Sequence, residues 1–183
     1  MVDHVGMTGE CPAIDLLADL VGWHGATSYA PDWPSLRKTF GRPFPTDFRC
    51  YVERFPPGAL GLVQVFHPEE ADWRGHPTSY VAQLSWRNES ANVVGRRQGR
   101  FGTRSGDLLA WGTVNGEFEL CWELTDQPAE TWGCRIVDIR CDEAEHYPGG
   151  MADLLLDALS GTGRIHLLDH LRELPPPRFE PYA

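Results

Sequence analysis

Few residues of this 183-residue chain have the types and spacing that chemistry needs. His166 and His170 are four apart, which would place two metal ligands on one face of a helix. They lie near the end of the sequence, where an exposed polar helix face is the simpler interpretation. Cys134, Cys141 and His146 could share a metal ion, but no Cys-x-x-Cys pair and no second histidine at ligand spacing accompanies them. The sequence therefore predicts no metal site.

Motifs for the common catalytic chemistries are absent from the sequence. It contains no Gly-x-Ser-x-Gly elbow, no phosphate-binding loop ending in Gly-Lys-Ser/Thr, no Gly-x-Gly-x-x-Gly motif after a predicted strand and no His-Glu-x-x-His. His67, His76 and His146 lie next to proline or tyrosine in predicted loops, and no nucleophile is placed near them. They are predicted to be turn or surface residues. We therefore expect a protein that is not an enzyme and has no catalytic residue and no cofactor.

An alternating segment carries the clearest candidate for an interaction surface. In residues 117–124 the apolar side chains point to one face, whereas Glu117, Glu119 and Glu123 point to the other. Neighbouring like charges repel, so they do not accumulate for stability, and a partner would relieve the repulsion. Tryptophans beside acids in loops are typical interface anchors, and the alternative for Trp73 and Trp132 is partial burial under the loop. The predicted partner-binding residues are Glu117, Glu119, Glu123, Asp126, Glu130, Trp132, Asp72 and Trp73.

The net charge of −10 is unevenly distributed along the chain. Residues 117–145 hold nine acids and two arginines, whereas residues 87–104 hold five arginines and one glutamate. These segments are either two solvated faces or a dipolar surface that docks a basic partner. A nucleic-acid site would use the arginines of residues 87–104 with Phe101 as a stacking residue, but the net charge opposes the approach of phosphates. We therefore expect a protein partner and no nucleic acid.

The cysteines and the hydropathy pattern indicate the compartment. The five cysteines are Cys11, Cys50, Cys121, Cys134 and Cys141. Their odd number and wide spacing predict free, mostly buried thiols. No stretch of about 18 apolar residues occurs, and no basic segment followed by an apolar run begins the chain. We therefore expect a cytoplasmic protein with no membrane partner.

Two short predicted helices precede the acidic strand. Asp32 can cap the first helix, and Gly41 suits its left-handed end. The apolar residues of this helix, one turn apart, are Trp33, Leu36 and Phe40. Pro45 lies in the first turn of the second helix, where its missing N–H costs nothing. The apolar residues that follow at helical spacing are Phe48, Tyr51, Val52 and Phe55. We expect them to pack on the apolar face of residues 117–124.

The remaining pattern predicts the rest of the fold. Further strands are expected at residues 60–67, 108–113 and 134–141, and further helices at residues 12–21, 151–159 and 165–174. Asn115 and Gly116 supply the turn of a hairpin between residues 108–113 and 117–124. The side chains expected to face inward on the 134–141 strand are Val137, Ile139 and Cys141. Residues 79–86 fit a strand or a helix, and residues 88–106 are predicted to be a long surface loop.

Helices at both ends of an antiparallel run predict the α+β class. The expected architecture is a single domain, in which a central, mainly antiparallel sheet is flanked by N-terminal helices and a C-terminal helix.

The two helices and the turn between them resemble the SUKH superfamily, the cell-wall-assembly-regulator-like domain. In that family a Trp-x-x-hydrophobic helix leads through Leu-Gly-x-x-Leu-Pro-x-Asp-Tyr into a second helix. The matching residues here are Trp33, Leu36, Phe40, Gly41, Phe44, Pro45, Asp47, Phe48 and Phe55. Residues 109–112 are similar to the family's Ile-Pro-Phe-Gly strand, with Ala110 in place of proline, and residues 151–159 to its closing helix. Residues 56–58, Pro-Pro-Gly, replace the family's Asn-Gly-Gly type of turn.

The resemblance implies an organisation and a function. It divides the chain into an N-terminal extension with one helix (residues 1–30), a SUKH-like domain (residues 31–161), and a C-terminal helix with a proline-rich tail (residues 162–183). Bacterial members are commonly immunity proteins that bind and neutralise a cognate toxin. The resemblance thus implies a non-catalytic protein-binding domain. The alternative is a regulatory or biosynthetic accessory protein that binds an endogenous enzyme, and the neighbouring genes would distinguish the two.

Overall fold

The computed structural model describes residues 11–69, 80, 84, 86–89, 92, 99–141, 143–163 and 165–182. The helices are α1 (Pro12–Leu20), α2 (Trp33–Phe40), α3 (Thr46–Arg54) and α4 (Met151–Ser160). The strands are β1 (Gly58–Leu60), β2 (Val63–Val65), β3 (Leu108–Val114), β4 (Phe118–Glu123), β5 (Cys134–Asp138), β6 (Glu143–Tyr147) and β7 (Phe179–Pro181). All seven pair antiparallel in the order β6-β5-β4-β3-β2-β1-β7. The α+β prediction is therefore confirmed.

The helices α2 and α3 form as the sequence predicts. The Asp32 carboxylate accepts the Ser35 N–H at 3.1 Å and caps α2, and Gly41 ends the helix with a φ of 81°. The apolar face of α3 is buried, and the Phe48 ring lies 5.2 Å from the ring of Trp122 on β4. This contact confirms the predicted packing on β4 for Phe48, whereas Phe55 packs against Phe179 of β7, with ring centres 5.0 Å apart.

A single carboxylate joins α3 to α4. One oxygen of Asp47 accepts the N–H of Phe48 at 2.7 Å, and the other accepts the N–H of Ala152 at 3.0 Å. Ala152 is in the first turn of α4, where backbone N–H groups lack a partner within the helix. A Cβ on Gly150 would lie 2.7 Å from the Asp47 carboxylate, so glycine is required for this close approach. Asp47 thus caps a helix more than 100 positions away in the sequence.

The hairpin between β3 and β4 also follows the prediction, whereas the next strand differs from it. Asn115 and Gly116 both have positive φ, as the tight turn requires. The Asp138 carboxylate accepts the N–H groups of Arg140 and Cys141, so β5 ends at Asp138. The prediction of an inward-facing Cys141 is wrong, because Cys141 lies exposed beyond this turn.

The segment that connects β2 to β3 contains helix where a loop was predicted. The described residues 80, 84, 86–89 and 92 are helical, which excludes a strand at these positions. Asn88 is buried, and the Asn92 side chain forms two hydrogen bonds of 2.8 Å with the backbone of Phe101. The prediction of a surface loop is therefore wrong at residues 88, 89 and 92.

The two ends of the described chain pack on the same core. Helix α1 lies against α3 and α4, and β7 extends the sheet by pairing with β1. The predicted last helix is a 3₁₀ helix at His166–Glu173. No helix in the described ranges is long and apolar enough to cross a membrane.

The cysteine prediction is wrong for one pair. Cys11 and Cys50 form a disulfide between the start of α1 and α3, with Cα atoms 6.4 Å apart. Their 39-residue separation in sequence gave no sign that the two helices meet here. Cys121 and Cys134 are buried free thiols, as predicted.

Candidate functional site

The glutamates predicted to form an acidic surface on β4 are buried or paired with cations in the folded protein. Glu119 is only 6% exposed, because β4 is a central strand and Arg87 lies against its outer face, 3.9 Å from the Glu119 carboxylate. Glu123 pairs with Arg135 at 2.6 Å and with His146 at 2.7 Å, and Glu117 pairs with Arg140 at 2.7 Å. The interpretation that a partner must relieve repulsion on this strand is therefore wrong.

The predicted anchors have different outcomes. Trp132 is 3% exposed, its ring lies 6.5 Å from that of Trp122, and its indole N–H donates to the carbonyl of Gln127. The prediction of an exposed loop tryptophan is wrong here, because the loop folds back and inserts Trp132 into the core. Asp72 and Trp73 lie outside the described residues.

Two of the predicted acids remain at the surface, and we call Asp126 and Glu130 the acidic corner. The Asp126 side chain is 83% exposed and lies 3.8 Å from Arg42. Glu130 is exposed and accepts a hydrogen bond from the Thr46 hydroxyl at 3.1 Å. Arg42 also donates to the carbonyl of Thr125 at 2.8 Å. The turn between α2 and α3 thus holds the acidic corner in place.

A groove lies along α2 and this turn, with a volume of about 650 Å³. We call it the basic groove, and its lining residues are Trp33, Pro34, Arg37, Lys38, Gly41, Pro43, Phe44 and Arg49. Gly41 and Pro43 flank Arg42, so the basic groove and the acidic corner adjoin. Sequence reasoning missed this groove, because the helical spacing of Trp33, Leu36 and Phe40 indicated only an apolar face of α2. The available signal was Arg37, one turn after Trp33 on the same helix face.

The buried Glu119 has unusual electrostatics for a carboxyl group. Burial raises its pKa to about 7, and the opposing effect of Arg87 is smaller. Its second oxygen has no hydrogen-bond partner within the described part of the chain. The ionised form of Glu119 is therefore costly in the folded protein.

This cost predicts a specific pH dependence of stability. The pKa of Glu119 is higher in the folded state than in the unfolded state, so the folded protein binds an extra proton between roughly pH 4.5 and 7. Stability attributable to Glu119 is present below this window and is lost as the pH rises through it. We expect Glu119→Gln to be more stable than the parent by about 1–3 kcal/mol at pH 8, but not at pH 4.5. Urea denaturation of both proteins across this range measures the difference, and parallel pH profiles would contradict the assignment.

Burial also shifts the pKa values of His67 and of two cysteines among the described residues. The His67 ring accepts the N–H of Glu69 at 3.1 Å and lies 3.3 Å from the carbonyl of Val52, and burial lowers its pKa to about 4. His67 lies between β2 and the turn at residues 68–69, close to the predicted turn. It is not a surface residue, because it is buried, and its lowered pKa keeps it neutral at pH 7. Burial raises the pKa of the Cys121 and Cys134 thiols, so neither is an activated nucleophile. Within the described ranges, no group of His, Cys, Asp or Glu is placed to hold a metal ion.

No family model, no curated protein and no solved structure matches this chain in the comparisons with known proteins.

Proposed function

We propose that this protein is a non-catalytic, protein-binding domain that acts as an immunity protein, binding and neutralising a cognate toxin. The observation that carries the proposal is that the acidic corner and the basic groove adjoin at the α2–α3 turn. Arg42 of this turn lies 3.8 Å from Asp126, and the residues before and after Arg42 line the groove. The SUKH resemblance of residues 30–161 supports the same function.

Adjoining charges of opposite sign favour a folded protein as the partner. Complementary charges at the rim of an interface raise the association rate, fix the register and reject partners with the wrong pattern. The carboxylates of Asp126 and Glu130 beside the groove would repel the phosphates of a nucleic acid. The net charge of −10 of the whole chain adds to this repulsion. A protein surface can match both signs within one contact.

A cytoplasmic location forms part of this proposal. Cytoplasmic immunity proteins protect the cell that makes the toxin. A described feature that opposes this location is the Cys11–Cys50 disulfide, because disulfides are rare in a reducing cytosol.

The test is association with the product of the adjacent reading frame, produced together with this protein and purified as a complex. We expect Asp126→Lys/Glu130→Lys to slow association by about tenfold or more at low salt, with a smaller effect at high salt. Both side chains are exposed, so the fold should survive the substitutions. The matched control is Glu173→Lys/Glu180→Lys, which reverses two exposed charges in the C-terminal segment.

Two results would contradict the proposal. Failure of the two products to form any complex would exclude an immunity function towards that neighbour. Equal association rates for the two charge reversals would show that the acidic corner does not contact the partner.

A further inference from the structure

We propose that the basic groove binds one carboxylate side chain of the partner, carried next to an aromatic residue. This inference rests on the proposed function and names the chemistry of the group that the partner inserts.

The cations of the groove differ from most other described arginines of the protein. Arg87, Arg135 and Arg140 each pair with a carboxylate of β4 or its preceding turn. Arg37 and Lys38 are exposed, and no carboxylate in the described ranges lies within ion-pair distance of either. Although the chain as a whole is acidic, the unpaired Arg37 and Lys38 create a local positive potential that can attract an anion.

An aromatic wall adds a second element of recognition. The Trp33 indole N–H donates to the Glu53 carboxylate at 2.7 Å, which fixes the ring. The guanidinium of Arg49 lies 5.4 Å from the centre of the same ring. Buried Phe44 lies against Trp33 with ring centres 6.0 Å apart. The part of the Trp33 ring that remains exposed can contact an aromatic side chain of the partner, while Arg37 and Lys38 hold an anion beside it.

The surroundings favour a single carboxylate over a phosphate group. The C-terminal end of α2 reaches the groove at Gly41, and this end carries the negative pole of the helix. The Glu53 carboxylate lies at the Trp33 edge, and Asp126 lies across the α2–α3 turn. These groups disfavour a doubly charged phosphate more than a singly charged carboxylate, which the fork of Arg37 can bind through two hydrogen bonds.

The test uses small probes, so it does not depend on identifying the partner. The probes are the blocked dipeptides N-acetyl-Phe-Glu-amide and N-acetyl-Phe-Gln-amide, together with adenosine monophosphate. Each is titrated into the full chain while the indole N–H signal of Trp33, assigned with Trp33→Phe, is followed by NMR. We expect saturable shifts with the glutamate peptide, and binding of the glutamine peptide that is weaker by about fivefold or more.

Variants of the groove supply the control. Arg37→Glu/Arg49→Glu should abolish binding of the glutamate peptide, whereas Arg104→Glu/Arg178→Glu, at exposed positions outside the groove, should leave it unchanged. Equal binding of the two peptides, binding that survives in the groove variant, tighter binding of adenosine monophosphate, or no shift at all would each overturn the inference.

The outcome separates this inference from the proposed function. Peptide binding without a complex with the neighbouring gene product would leave the groove assignment standing and exclude an immunity function towards that neighbour. A complex that depends on the acidic corner, without peptide binding, would refute the groove assignment alone.

Discussion

The Phe55→Ala variant should unfold with a free energy about 3–5 kcal/mol lower than that of the parent. Phe55 follows the last turn of α3, is fully buried, and lies 4.7 Å from the Tyr51 ring and 5.0 Å from the Phe179 ring. Truncation removes this burial and leaves a cavity between α3 and β7, which a close-packed core fills only in part. Urea denaturation at a fixed pH measures the loss.

Leu16→Ala is the control for this prediction. Leu16 lies on α1 but is 60% exposed, so its truncation should change stability by less than about 0.5 kcal/mol. A Phe55→Ala midpoint equal to that of the Leu16→Ala protein would show that α3 does not pack on this core.

Removal of the Asp47 carboxylate is expected to have the next largest effect. Asp47→Ala leaves the N–H groups of Phe48 and Ala152 without their acceptor at the starts of α3 and α4. Loss of a helix cap and of hydrogen bonds to a charged group should together cost about 1–3 kcal/mol. Thermal or urea denaturation at pH 7 measures this cost.

Asp153→Ala is the control for this prediction. It removes a negative charge from the start of α4 without removing the capping hydrogen bonds of Asp47. Asp153 lies in the same first turn of α4 but is exposed. Its removal loses a favourable interaction with the helix dipole, about 0.3–1 kcal/mol, and relieves its repulsion of the Asp47 carboxylate. Equal losses in the two variants would mean that the Asp47 hydrogen bonds contribute nothing specific.

The parts of the fold that depend on neighbours in sequence could be predicted. The cap at Asp32, the left-handed Gly41 and the Asn115-Gly116 turn all act within a few residues, and the structure contains each of them. The periodicity of α3 likewise identified its buried face. Local chemistry sets these features, so a single sequence contains the information.

The features that depend on distant residues could not be predicted. Strand β6 escaped notice because its sequence, Glu-Ala-Glu-His-Tyr, is polar, as is common for a strand at the edge of a sheet. The burial of Glu119 depends on Arg87, and the Cys11–Cys50 disulfide depends on how α1 meets α3. Alternation alone assigned Glu119 to solvent, and only the packed structure reveals what lies over it.

The candidate site shows the same division. Asp126 and Glu130 were predicted to be surface residues because they are charged, and both are exposed. Trp132 was predicted to be a surface anchor because acids lie near it in the sequence, but it is buried. The basic groove needs residues from α2, α3 and the turn between them, and its cations stand out only once the partners of the other arginines are known.

Hydrogen–deuterium exchange on the complex with the adjacent gene product tests the central claim most directly. We expect slower exchange on binding in residues 33–49 and 125–131, which carry the basic groove and the acidic corner. Exchange in the edge strand β6 should stay unchanged. Protection confined to β6 or to residues 99–106, with the α2–α3 turn unaffected, would contradict the account.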